Sequence, residues 1–100
     1  MPAYFVANVD VKEAEGYEEY RKRAPETIER YGGRYLARAG RTEVLEGDWA
    51  PKRLVILEFE SFEQAKRWYK SEEYAAVVGI RHRLAESQLV LVEGVEPLAG

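Results

Sequence analysis

Residues 53–70 read "RLVILEFESFEQAKRWYK" and change periodicity once, at Ser61. Residues 53–60 are almost continuously apolar, with β-branched and aromatic side chains that suit a strand covered on both faces. Ser61 followed by Gln64 forms a capping box, in which the hydroxyl satisfies an orphan amide at the start of a helix. Phe62, Ala65, Trp68 and Tyr69 then recur at helical spacing and predict an inner stripe running to about Ser71.

Working back from this βα unit, "GDWAPK" at 47–52 clusters Gly, Asp and Pro and predicts a turn. Before it, "RYLARAGRTEVLE" at 34–46 predicts a second strand, with Gly40 marking a bulge or bend. Strict alternation along it would place Arg34 and Arg38 on one face and Arg41 on the other. The pair Gly32–Gly33 predicts a helix terminus. Upstream, Tyr17, Tyr20, Ala24, Ile28 and Tyr31 form an apolar stripe, backed by Glu–Lys and Glu–Arg pairs four residues apart. Asp10 with Glu13 predicts the start of that helix, and Pro25 inside it predicts a kink. The first strand is predicted over 3–9, with Phe5, Ala7 and Val9 on one face and Tyr4, Val6 and Asn8 on the other.

Downstream, 71–87 predicts short helical pieces broken at Gly79, residues 88–94 a fourth strand, and "VEPLAG" a tail. The order is βαββαβ, an α+β ferredoxin-like arrangement with two helices covering one face of a four-stranded antiparallel sheet. One domain over 1–100 is expected from the length. On the sheet's other face Tyr4, Val6, Leu54, Ile56, Leu89 and Leu91 are expected to make an apolar surface. Such a surface predicts a homodimer closed sheet against sheet.

Several function classes are disfavoured by composition. With no cysteine, the chain has no disulfide, thiolate metal site or cysteine nucleophile. A net charge of −3 lacks the basic footprint of a nucleic-acid or anionic-membrane binder. The opening "MPAYFVANVD" suits neither a signal peptide nor a membrane span, so a soluble cytoplasmic protein is expected. No phosphate loop, nucleophile elbow or paired-histidine motif is present, and no cofactor or metal is expected.

The segments "GGRYLARAG", "VLEGDW", "RLVILEF" and "SFEQAKRWYKSEEY" resemble, in order and spacing, the bacterial domain of unknown function 1330 family. The resemblance implies the dimeric α/β-barrel form of the ferredoxin-like fold. The superfamily it points to also holds cofactor-free monooxygenases, muconolactone-isomerase-like proteins and haem-dependent peroxidases, so it implies a fold more firmly than a reaction.

Two residues are candidates for acid–base work. His82 is the only histidine, the side chain whose ordinary titration falls nearest neutrality. Glu58 lies within the apolar strand, where a carboxylate is costly to bury unpaired. Both readings compete with plainer ones, an exposed helical residue for His82 and a satisfied ion pair or dimer-seam position for Glu58. Arg38 and Asn8 are candidate ligand-binding groups expected to reach the space beside Glu58, and Trp49 is an aromatic in a turn that could face a ligand or a partner chain. The expected function is binding of a small aromatic or carboxylate-bearing molecule between sheet and helices, with cofactor-independent acid–base or oxygenase-like chemistry. The alternative is a non-catalytic ligand-binding or interaction module.

Overall fold

The structure, a computed structural model, describes residues 1–95. Strand β1 (Ala3–Val11) is followed by helix α1 (Ala14–Arg30), strand β2 (Arg34–Arg38), strand β3 (Leu54–Phe59), helices α2 (Phe62–Tyr69) and α3 (Glu72–Leu84), and strand β4 (Ala85–Glu93). The four strands form one antiparallel sheet in the order β2-β3-β1-β4. This is the predicted βαββαβ order, with the second helical segment divided into α2 and α3. The tail expected from residue 95 lies, from 96 onward, outside the described residues.

Alternation along β1 sets the two faces. Ala3, Phe5, Ala7 and Val9 are buried beneath the helices, opposite Phe59, Leu57 and Val55 of β3 and Leu91 and Leu89 of β4. Tyr4, Val6 and Asn8 turn to the open face, opposite Glu58, Ile56 and Leu54 on one side and Val92, Val90 and Gln88 on the other. Leu89 and Leu91 therefore lie on the helix side, not on the open face expected for them. β4 starts at Ala85, and its even-numbered positions carry the exposed valines Val90 and Val92.

The core is aromatic. Phe5 and Phe59 meet edge to face with their centroids 6.0 Å apart, and Trp68 packs 5.3 Å from Phe5 and 5.5 Å from Phe59. Tyr74 of α3 lies 4.1 Å from the Trp68 ring. The indole Nε1 donates to the Thr27 hydroxyl of α1 at 3.0 Å, so a buried donor is satisfied while three helices are joined.

The helix ends follow from local chemistry. Gly32 takes a φ of 78°, and its amide donates to the Glu29 carbonyl while the Gly33 amide reaches the Ile28 carbonyl. These two bonds make a Schellman cap. Ser61 and Ser71 cap α2 and α3 by accepting from the Gln64 and Tyr74 amides at 3.0 and 3.1 Å. Gln64 does not complete the predicted box but donates to the Tyr31 carbonyl. Asp10 is not the cap of α1. It stays within β1 and pairs with Lys12, and Glu13 precedes the helix without a side-chain cap. Gly79 does not break α3, because Tyr74, Val77 and Ile80 bury one continuous stripe across it.

β2 departs most from expectation. It ends at Arg38 because its partner β3 begins only at Leu54, whose carbonyl accepts the Ala39 amide. Pro51, just upstream, has no amide with which to extend the ladder. Ala39, not Gly40, adopts the left-handed conformation, with φ 57°. The register shift falls between Tyr35 and Ala37, leaving Leu36 as the extra residue. Residues 39–53 are irregular and expose Val44, Leu45 and Trp49.

Truncating the residue that joins these layers should be severe. Trp68→Ala is expected to lower unfolding free energy by about 3–5 kcal/mol in urea titration, the range for large aromatic-to-alanine core changes. A loss below about 1 kcal/mol would show that the indole does not hold the helices on the sheet.

Candidate functional site

The bulge at Leu36 decides where the arginines of β2 point. Arg34, before it, lies on the open face and donates from Nε to Glu58 at 2.7 Å. Arg38, after it, pairs with Val55 and so lies on the helix side, where its guanidinium sits 4.6 Å over the Tyr35 ring. Its Nη2 donates to the Arg21 carbonyl of α1 at 2.7 Å. Arg34 and Arg38 thus occupy opposite faces, because the extra residue inverts the alternation that would have placed them together.

Arg38 opens onto a cavity of about 60 Å³ between sheet and helices. That is room for a few water-sized groups before any side chain moves. Its floor is Ala7, Val9, Val55, Leu57 and Leu89 from the sheet, and its walls include Tyr17, Tyr20, Tyr35 and Tyr74. Arg21, Arg38, Arg53 and Arg81 complete the polar lining, which contains no carboxylate among the described residues.

Arg81 projects inward because it stands seven residues after Tyr74 on the buried stripe of α3. It is 6% exposed, donates from Nε to the Tyr74 hydroxyl at 3.3 Å and makes a close hydrogen bond to the Ser87 hydroxyl. Desolvation opposes its charge, but the Tyr74 and Tyr20 oxygens beside it outweigh that effect and hold its pKa above the ordinary value. Arg53 precedes β3 in the same alternation as Val55 and Leu57. It packs 5.9 Å from the Tyr17 ring centroid, and its buried Nε has no acceptor among the described residues. Neither Arg53 nor Arg81 has a carboxylate partner among the described ion pairs.

The phenols form the rest of the polar lining. Tyr20 and Tyr74 are joined by a hydroxyl–hydroxyl bond of 2.6 Å. One proton closes that bond, so the pair retains a second to donate. Burial pushes the Tyr20 phenol well above its ordinary value, and the adjacent Tyr74 oxygen adds to the effect. Burial also raises Tyr17 and Tyr35, although nearby arginines oppose it. All three are hydrogen-bond donors at neutral pH.

Of the five residues singled out from sequence, only Arg38 lines this cavity. Asn8 and Glu58 lie on the other face of the sheet, where Asn8 accepts from the Lys52 amide at 2.9 Å and Glu58 is held by Arg34. The common space expected for Arg38, Asn8 and Glu58 is therefore not formed. His82 is exposed on the last turn of α3, and Trp49 is exposed in the 39–53 segment. Arg53, Arg81 and the tyrosines were not singled out as a site, although alternation from Val55 and the helical period from Tyr74 both point the arginines inward. Among the described residues no three His, Asp or Glu side chains converge as a metal site would require.

A family described as a domain of unknown function (DUF1330) matches residues 2–95. The chain belongs to the DUF1330 family. No curated protein matches it significantly. Among solved structures, this DUF1330 chain is similar to the RPA0582 protein of unknown function from Rhodopseudomonas palustris, with 21% identity, a TM-score of 0.75, and coverage of 96% of this chain and 84% of that one. It is also similar to SnoaB, a cofactor-independent oxygenase from Streptomyces nogalater, with 14% identity, a TM-score of 0.61, and coverage of 99% and 98%. Rv0793 from Mycobacterium tuberculosis gives 12% identity, a TM-score of 0.58, and coverage of 99% and 100%. At these identities the likeness establishes a shared ferredoxin-like fold.

The raised phenols give a sign for the alkaline limb of stability. Below pH 10.0, the ordinary tyrosine value, the phenols are protonated in folded and unfolded chains alike and their contribution is complete. As pH rises beyond it, the unfolded chain ionises first and stability is lost on the way to the folded-state values. The urea midpoint should therefore fall between about pH 10 and 12, and fall less steeply in Tyr20→Phe. A midpoint with the same slope in both proteins would show that Tyr20 is not desolvated.

Proposed function

We propose that this protein binds a small aromatic or carboxylate-bearing molecule in the cavity between sheet and helices, and does so as a homodimer. The observation that carries the reading is the composition of the lining. A cavity serving packing alone would be closed with aliphatic side chains, whereas this one brings four arginines and four tyrosines around about 60 Å³. Aromatic faces suit a flat ligand, and guanidiniums suit an anionic group on it.

The dimer rests on the open face of the sheet. Tyr4, Val6, Leu54, Ile56, Val90 and Val92 share it, and Leu36 and Leu45 are further exposed apolar groups. An apolar surface of this kind is normally covered in water. Glu58, paired with Arg34 on the same face, would then lie at the seam, and Trp49 on the exposed 39–53 segment would be free to reach the partner.

For chemistry in the cavity, the available proton carriers are the phenol hydroxyls of Tyr17, Tyr20, Tyr35 and Tyr74, and Arg38, Arg53 and Arg81 would stabilise negative charge developing on a bound molecule. The fold shared with a cofactor-independent oxygenase supports a reaction of that type. A non-catalytic binding module is favoured by a separate observation: the titratable side chains of the described lining are arginines and tyrosines, which stay protonated at neutral pH. Oxygen consumption or product formation with a panel of small aromatic and enolisable acids separates the two readings. His82 and Glu58 lie outside the cavity, so His82→Ala and Glu58→Gln should keep the ligand response.

Members of that panel should raise the melting temperature of the wild type, and Ala7→Leu, which fills the cavity, should abolish the rise. No rise with any member would contradict the reading. Sedimentation equilibrium should find twice the 11.5 kDa chain mass. Val90, 61% exposed on the open face, can be changed to Glu without disturbing the core, and Val90→Glu should yield monomers with an unchanged far-UV spectrum. A monomeric wild type would remove the dimer from the proposal.

A further inference from the structure

The charges in the cavity carry the reading further and select its ligand class. Of the four arginines in the lining, Arg21 alone has a carboxylate partner among the described ion pairs, Glu18 at 2.8 Å on the outside of α1. Arg38, Arg53 and Arg81 are therefore three guanidiniums around one small space with no anion among the described residues to offset them. Arg81 is the most constrained, being 6% exposed and satisfied only by the neutral hydroxyls of Tyr74 and Ser87. Desolvation opposes its charge and only phenol and hydroxyl oxygens offset it, so an anionic ligand would bring the negative charge that the described lining lacks. The buried Nε of Arg53, without an acceptor, is a second group facing the same deficit.

The three side chains also form a gradient in depth. Arg81 is buried, Arg53 is partly exposed, and Arg38 is exposed, so positive charge runs from solvent to the innermost wall. Arg38 reaches from the end of β2 to the Arg21 carbonyl and spans the gap between sheet edge and α1. A backbone carbonyl is a weaker partner for a guanidinium than an anion is, so an entering anion can displace it.

Resting on the cavity as the ligand site, we propose that its ligand is a small, flat carboxylate, bound by the Arg81 and Arg53 guanidiniums and the free proton of the Tyr20–Tyr74 pair, with Arg38 as a strap across the entrance. A planar carboxylate matches the guanidinium fork, and a cavity of about 60 Å³ walled by phenol rings favours a flat group over a tetrahedral one.

The test is thermal unfolding of the full chain with acetate, benzoate, acetamide, benzamide and inorganic phosphate, each at matched ionic strength against chloride. At least one carboxylate should raise the melting temperature by about 4 °C or more at saturation, while both amides and phosphate leave it unchanged. Arg81→Met should lose the carboxylate shift. Arg53→Met, whose side chain is not part of the sealed core, should weaken the carboxylate at least about tenfold by calorimetric titration, which keeps the test decisive if the Arg81 variant does not fold. A benzamide shift equal to that of benzoate would overturn the carboxylate assignment and leave the cavity as a ligand site. A shift with phosphate alone, or a carboxylate shift retained in Arg81→Met or undiminished in Arg53→Met, would likewise overturn it. No shift with any of the five probes would overturn the carboxylate assignment, while the cavity reading falls if no member of its own panel raises the melting temperature.

Discussion

Trp68 packs its indole against Phe5 of β1 and Phe59 of β3, lies 4.1 Å from Tyr74 of α3 and donates to Thr27 of α1. Its own carbonyl accepts from both the amide and the hydroxyl of Ser71, which turns the chain out of α2 and caps α3. The separation of the helices from the sheet is set by this one large side chain. Where the indole fills the interval, the core is closed. Beyond Tyr74, towards Arg81 and Arg53, no ring of that size is present, and the interval remains as the cavity.

The sheet consequently separates two kinds of surface. Its helix side ends in a confined space whose polar groups are all donors, guanidiniums and protonated phenols, and donors in low dielectric act strongly on negative charge. Its open side is apolar at the centre and carries the Arg34–Glu58 pair near one edge. The Leu36 bulge connects them, because a single extra residue sends Arg34 to one side and Arg38 to the other. A regular β2 would have turned Arg38 to the open face with Arg34, opposite Leu54, and left the cavity entrance without its bridge to α1. Arg81 is held by hydroxyl oxygens and not by a carboxylate of the described residues, which leaves its charge available to an anionic ligand.

Most of the fold was legible because its signals are local. Alternation in residues 3–9, the serine cap at 61 and the Gly32–Gly33 terminus act over a few residues, and they are formed by the contacts their chemistry suggests. Where tertiary pairing decides, reading failed. The strand expected over 34–46 stops at Arg38 because no strand lies beside its remainder, and the identity of its neighbour is not a property of that stretch. Gly79 resembled a break, but the stripe of Tyr74, Val77 and Ile80 buried on both sides of it held the helix continuous. The same distinction applies to the site. His82 stands out only by its rarity in the composition, while the lining is built from abundant arginines and tyrosines. What distinguishes these is a shared direction, legible for Arg81 and Arg53 from periodicity but for Arg38 only once the bulge is known.

The central claim is that the buried guanidinium of Arg81 awaits an anion from outside the chain. A high-resolution crystal structure of the protein grown with benzoate tests this most directly. The predicted result is a planar carboxylate within hydrogen-bond distance of Arg81 and Arg53, with Arg38 released from the Arg21 carbonyl. A carboxylate of the protein itself seated on Arg81, or an Arg81 satisfied by Tyr74, Ser87 and water with neither benzoate nor acetate bound in crystals grown with each, would contradict it.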